Sequence, residues 1–119
     1  MAEHNETGIL GEQIAEEYLK NKGYQIIAKN YRFMKAEIDI IARDKEEMVF
    51  VEVKTRHSHY LVEPEFSVSL KKQRLIISAA DHYLVSRNID CWSRFDIISI
   101  ILHPEGREIR HLEGAFTAQ

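Results

Sequence analysis

At 119 residues, 45% of them hydrophobic, the chain is long enough for one buried core and too short for two. No apolar run approaches the ~18 residues of a membrane span, and the opening Met1-Ala-Glu-His-Asn-Glu6 lacks the basic and apolar parts of a signal peptide, so a cytoplasmic protein without membrane contact is expected. The single cysteine, Cys91, excludes an intramolecular disulfide and a cysteine-built zinc site, and the net charge of −3 sets the chain apart from plainly basic nucleic-acid binders.

The first predicted element is a helix from about Gly8 to Lys22, with Thr7 as its cap and Gly23 as the left-handed residue that ends it. At 100° per residue its apolar stripe is Leu10, Ile14, Ala15, Tyr18 and Leu19. Glu12 falls at the border of that stripe, where it is either a surface charge or a carboxylate reaching over the sheet edge toward a cation. A strand over Tyr24 to Phe33 follows.

The next two strands, Ala36–Arg43 and Met48–Arg56, carry the chemistry. A four-residue loop, Asp44 to Glu47, joins them. Closing the hairpin there sets Arg43 opposite Met48, Ile41 opposite Phe50, Asp39 opposite Glu52 and Glu37 opposite Lys54. The reverse face then holds Ile38 with Val53, Ile40 with Val51 and Ala42 with Val49. A slip of one residue scatters both sets, so the pattern selects this register. Two carboxylates facing each other among Ile and Val repel unless something positive lies between them. Magnesium suits that place: it takes one or two carboxylates, keeps several waters and completes its shell with phosphate. Lys54 shares the face of Glu52 and can hold a water or stabilise transition-state charge. The bland alternative is a salt-bridge cluster, Glu37 with Lys54 and Asp39 paired elsewhere.

His57-Ser-His59 follows in a loop reaching Pro64 and reads as an exposed pair, because no further ligands complete a tetrahedral set. A second helix spans Leu70 to Arg87, capped by Ser69 and stopping near Asn88, with Leu70, Ile76, Ile77, Ala80, Tyr83 and Leu84 buried. Gln73 sits in the middle of that stripe and either bonds a backbone carbonyl or reaches the metal site; the second reading is preferred. Arg94–Leu102 and Glu108–Glu113 are the last strands, separated by the Pro104-Glu-Gly-Arg107 turn. Asp96 is a second acid, expected to pair with Arg94 or a helix arginine.

Glu37-Ile-Asp39 followed by Val51-Glu-Val-Lys-Thr-Arg56 resembles the PD-(D/E)xK nuclease superfamily, which includes restriction enzymes and Holliday-junction resolvases. Nearly the whole chain is similar to the bacterial YraN-type family (uncharacterised protein family 0102). The matching stretches include Gly11 to Ala15, Asn30-Tyr-Arg32, Glu37 to Arg43, Phe50 to Arg56, Arg94-Phe-Asp96 and Gly114-Ala-Phe116. No proline precedes Asp39, and Ala36 stands where the narrower family has glycine. The resemblance implies a restriction-endonuclease-like α/β sandwich, a single domain over 1–119, with a mixed sheet of about five strands flanked by helices. It implies Glu12, Asp39 and Glu52 as ligands of Mg²⁺ or Mn²⁺, Lys54 as the catalytic lysine and Gln73 as an accessory catalytic residue.

A metal-dependent nuclease acting on DNA, branched or damaged DNA included, is the function expected from this set. The acids Glu3, Glu6, Glu12, Glu16 and Glu17 crowd the first seventeen residues, leaving sixteen basic against fourteen acidic residues in the rest. Lys29, Arg32, Lys35, Arg56, Lys71, Lys72 and Arg74 are the cations that can track phosphates. So weak a balance predicts modest, salt-sensitive binding or help from an accessory protein, and the resolvase resemblance implies a homodimer. The alternatives are a non-catalytic nucleic-acid-binding or adaptor module that keeps the fold, and a protein-interaction domain with a salt-bridge network.

Overall fold

The computed structural model describes residues 5–60 and 64–118; Glu3 and the loop before Pro64 lie outside the described residues. The chain runs α1 (Glu6–Asn21), β1 (Gln25–Phe33), β2 (Ala36–Asp44), β3 (Glu47–His57), a 3-10 turn (Ser58–Tyr60), α2 (Leu70–Ser86), β4 (Trp92–His103) and β5 (Gly106–Phe116). The five strands form one sheet in chain order. Only β3 and β4 are parallel, joined by the crossover through α2, while the other neighbours are antiparallel. One core lies on the α1 face, where Ile14, Ala15 and Leu19 meet Ile40, Val49, Val51 and Ile98. The other lies on the α2 face, where Ile76, Ala79, Ala80 and Tyr83 meet Ile38, Ile41, Phe50 and Phe95. This is the expected α/β sandwich with a mixed sheet, of the restriction-endonuclease-like kind. Among the described residues no helix is long and apolar enough to cross a membrane.

Local chemistry explains the boundaries and corrects several expectations. The cap of α1 is Asn5, whose side chain accepts from the Gly8 amide at 2.7 Å, so the helix starts a residue or two earlier than Thr7 would allow. Gly23 ends it at φ 95°. Ser69 caps α2 as expected, and Asn88 follows its end at φ 56°. Leu70, expected in the buried stripe, is the first residue of α2 and is 62% exposed. Leu10 of α1 is likewise exposed. The β2–β3 loop has two residues, not four: Lys45 takes a left-handed φ of 59°, which lets Asp44 and Glu47 pair. The register is unchanged, since tightening the loop adds one pair and shifts none. At the β4–β5 turn the same tightening occurs, His103 pairing with Gly106.

Gly11 is where α1 touches the sheet most closely. A Cβ there would lie 1.8 Å from Thr55 Oγ1 and 2.7 Å from Thr55 Cβ, so only glycine lets the helix settle on β3 at this point. The contact sets the height of the next residue, Glu12, over the sheet.

Candidate metal centre

The sheet is irregular where the acids sit. Along β2, Ile40 and Ala42 face α1 and Ile41 faces α2, but Ile38 also faces α2. The two-residue alternation therefore breaks between Ile38 and Ile40. The same break occurs in β1, where Ala28 and Tyr31 both pack toward α2. Between the pairs Lys29–Ile40 and Tyr31–Ile38 stand Asn30 and Asp39, and Asn30 has φ 52°. A left-handed residue inside a strand re-aims its neighbours, and asparagine is one of the few residues that tolerates it. The β2–β3 ladder runs from Asp44–Glu47 to Ile40–Val51, and Asp39–Glu52 is not a rung of it. Instead the Val53 amide donates to Asp39 Oδ2 at 2.8 Å. The expected face-to-face pairing of Asp39 with Glu52, and of Ile38 with Val53, is thus replaced by a splayed junction in which Ile38 and Val53 serve opposite cores.

The junction opens into a cleft of about 790 Å³, whose lining includes Glu12, Arg32, Glu37, Asp39, Glu52 and Lys72. Asp39 and Glu52 are buried, at 5% and 6% exposure. Burial, then the charge of Glu52, pushes the Asp39 carboxyl well above the usual range; Glu12 adds to this, and the Val53 amide and the charge of Lys72 work against it. Among the described residues Asp39 Oδ1 has no hydrogen-bond partner and the carboxylate no ion-pair partner. Glu52 is answered by Lys72 of α2, with Nζ 2.5 Å from Oε2. Burial disfavours the Lys72 ammonium, yet the charge of Glu52 and its hydrogen bond outweigh that and raise its pKa. Glu12 and Glu37 are bridged by Asn30, whose Nδ2 donates to Glu12 Oε1 at 2.9 Å and to Glu37 Oε2 at 3.1 Å. Arg32 lies 3.2 Å from Glu37 Oε1.

The other candidate side chains divide between this cleft and neighbouring partners. Lys54 lines a neighbouring hollow of about 300 Å³ with Glu52, Ser67 and Lys72, and its Nζ donates to the Ser67 carbonyl at 2.6 Å. Gln73 donates to the Val68 carbonyl at 2.9 Å, the backbone role that the sequence left as the second choice. Of the proposed phosphate-tracking cations, Arg32, Lys35, Lys71 and Lys72 line the cleft, while Arg56 and Arg74 do not. Lys29 is tied to Glu16 of α1 at 2.8 Å. Asp96 is fully engaged elsewhere, taking Arg94 Nε at 2.8 Å, His111 Nε2 at 2.7 Å and the Gly114 amide at 3.1 Å. His57 and His59 are exposed as expected. Sequence reasoning missed the bridging role of Asn30, although an amide in the interior of an apolar strand was the available signal. It also missed Lys72 as the partner of Glu52, which depends on where α2 lands and leaves no mark in the local pattern.

The donor set fits a hard divalent cation. Among the described residues no three His, Cys, Asp or Glu side chains converge as a ready ligand cage. Magnesium does not need one, because one or two carboxylates and water suffice. An aspartate whose proton affinity is raised by burial first and by neighbouring carboxylates second is the electrostatic condition that such an ion relieves.

Comparison with known proteins places the chain. Residues 11–100 match the model of Uncharacterised protein family UPF0102. A UPF0102 protein of Porphyromonas gingivalis is 45% identical over 118 residues, spanning 98% of this chain and 87% of its own length. One from Alkaliphilus oremlandii is 47% identical over 112 residues, 92% of this chain and 96% of the relative. One from Christiangramia forsetii is 43% identical over 116 residues, 98% of both. With that coverage and identity, the chain belongs to family UPF0102.

Proposed function

We propose that this protein is a divalent-metal-dependent phosphodiesterase acting on nucleic acid, DNA in the first instance. The observation that carries the reading is Asp39: a buried carboxylate, released from the ladder, fixed by one backbone amide through Oδ2, and charge-stressed by Glu52 and Glu12 at the floor of an open cleft. Asp39 and Glu52 would hold the ion, with Glu12 beside them. Bound there, Mg²⁺ or Mn²⁺ would polarise a phosphoryl oxygen and acidify a bound water.

The remaining roles belong to the chain. Val53 N–H holds one Asp39 oxygen and fixes the carboxylate plane. Asn30 ties Glu12 to Glu37, so α1 and β2 approach the cleft in a set relation. Lys72, with its raised pKa, stays an ammonium at neutral pH, which makes it a charge stabiliser and not a proton acceptor. It joins Lys54 beside Glu52, the two lysines lining one hollow with that carboxylate. Lys35 and Lys71 line the same cleft without an ion pair among the described residues, and are free to meet phosphate. Each tenfold of rate needs about 1.4 kcal/mol of transition-state stabilisation, and the many powers of ten that phosphodiester hydrolysis requires exceed what a few lysines supply.

Metal titration and cleavage test the reading together. An ion at ten times its Kd adds about 1.4 kcal/mol to stability, a readily measured rise in Tm. Mg²⁺ or Mn²⁺ should therefore raise the Tm of the wild type and not of Asp39→Asn, and the wild type should cut at least one of linear, single-stranded, flapped or four-way DNA. Unchanged melting in millimolar metal, with no cutting, would refute it. A non-catalytic nucleic-acid-binding module is the second reading, favoured by the engagement of Lys54 with Ser67; metal binding and DNA binding without cleavage would select it.

A further inference from the structure

Met34 is the most exposed large hydrophobic residue described, at 87%. It forms, with Lys35, the two-residue turn between β1 and β2 that Phe33 and Ala36 close. Folding does not account for a methionine here. Its φ is 57°, a conformation that glycine or asparagine adopts with least strain, and its side chain buries almost nothing. The turn is nonetheless rigidly mounted, because the Phe33 ring stacks on His82 of α2 with centroids 4.0 Å apart and planes 14° from parallel. It stands at the rim of the Asp39–Glu52 cleft, with Lys35 beside it, Arg32 at the strand end and Lys71 also lining the cleft.

An apolar, unbranched side chain on a braced tip, with Arg32, Lys35 and Lys71 lining the same cleft of about 790 Å³, matches one chemistry: the face of a nucleobase flanked by its phosphates. Proteins that wedge apolar side chains between bases use methionine among others. From this we infer that Met34 packs against an unstacked base next to the phosphate in the cleft. The preferred substrate is then a nucleic acid with a break in stacking at that point, such as an end, nick or single-stranded flap, over a continuous duplex. The inference rests on the nucleic-acid reading above.

The test compares a flapped DNA carrying 2-aminopurine at the junction with the matched continuous duplex, both bound in EDTA so that hydrolysis plays no part. The wild type should brighten the 2-aminopurine and bind the flapped DNA more tightly. Met34→Asn and Met34→Gly suit the backbone of the turn, so their Tm should match or exceed that of the wild type. Both should lose about tenfold in affinity for the flapped DNA, the effect of uncovering most of a methionine side chain, and keep duplex affinity within about twofold. Equal losses on both DNAs, no loss on either, or no DNA binding by the wild type overturns the inference. Discrimination in EDTA without cutting in Mg²⁺ would refute the nuclease reading and leave the wedge standing. Cutting by a protein whose Met34 variants bind both DNAs unchanged would do the reverse.

Discussion

Replacing Lys72 by alanine removes the cation within ion-pair distance of Glu52 and tests which lysine serves the acids. The Glu52 side chain is 7% exposed and that of Lys72 50%. Breaking a fully buried pair costs 3–5 kcal/mol, roughly, because a charge is left uncompensated, whereas an exposed pair contributes under about 1 kcal/mol. With one partner buried and the other half in water, an intermediate loss of about 1–2 kcal/mol is expected. In a domain of this size that lowers Tm by roughly 5 °C. Thermal melts in EDTA measure it directly, and a cycle with Glu52→Gln isolates the coupling. Adding Mg²⁺ should recover part of the loss, since the ion supplies the missing positive charge. Lys54→Ala, which removes a bond to the Ser67 carbonyl and keeps the ion pair of Lys72 with Glu52, should leave the response to metal intact. If Lys72→Ala melts like the wild type while Lys54→Ala destabilises and abolishes the metal response, the assignment of Lys72 to the carboxylates is wrong.

Three further outcomes follow from the same geometry. Asp39→Asn should stabilise the metal-free protein: the folded pKa is raised above the unfolded ~3.9, so ionisation costs stability as pH rises from about 4. Urea titrations in EDTA should show the variant ahead by about 1–3 kcal/mol at pH 7 and level with the wild type near pH 4; a gap independent of pH would contradict the account. Asp96 behaves oppositely: burial works to raise its pKa, but His111, Arg94 and the Gly114 amide together hold it below the usual value. Its stabilisation is therefore full above the unfolded ~3.9 and is lost as pH falls below it, so Asp96→Asn should cost about 3–5 kcal/mol at pH 7 and far less near pH 2. Gly11→Ala should cost at least about 1–3 kcal/mol through the clash with Thr55 and weaken the metal-induced rise in Tm by lifting Glu12; an unchanged Tm would show that α1 is not seated as described.

The fold was legible wherever a local pattern decided the outcome. Alternation of Ile and Val fixed the β2–β3 register, Ser69 and Gly23 marked helix ends, and the Arg94–Asp96 pairing followed from opposite charges two residues apart on one strand face. Local pattern failed where a choice depended on packing between elements. From sequence Lys72 reads as a phosphate-tracking cation, and only the seating of α2 brings it to Glu52. Gln73 reads as a core anomaly until the Val68 carbonyl is found within reach. Strict alternation also hides the break at Ile38, because it assumes that no residue takes a left-handed conformation inside a strand.

That break ties the irregular backbone to the chemistry. In a regular hairpin Asp39 would sit in line with its neighbours, its peptide bonded across to β3. The left-handed Asn30 turns both strands out of phase together, and the Asp39 carboxylate takes the place of a backbone acceptor for Val53. The substitution satisfies the amide but leaves a buried carboxylate beside two other acids. Glu52 has Lys72, and Glu37 has Arg32 and Asn30. Asp39 feels the charge of Lys72 as well, but that ammonium is bonded to Glu52, and burial with the charge of Glu52 still leaves the Asp39 carboxyl raised. A scaffold gains nothing from that asymmetry, since an asparagine would bond Val53 equally well without the charge. Under the metal-dependent function proposed above, the missing positive charge comes from outside the chain, and Asp39 lines the cleft through which it would arrive.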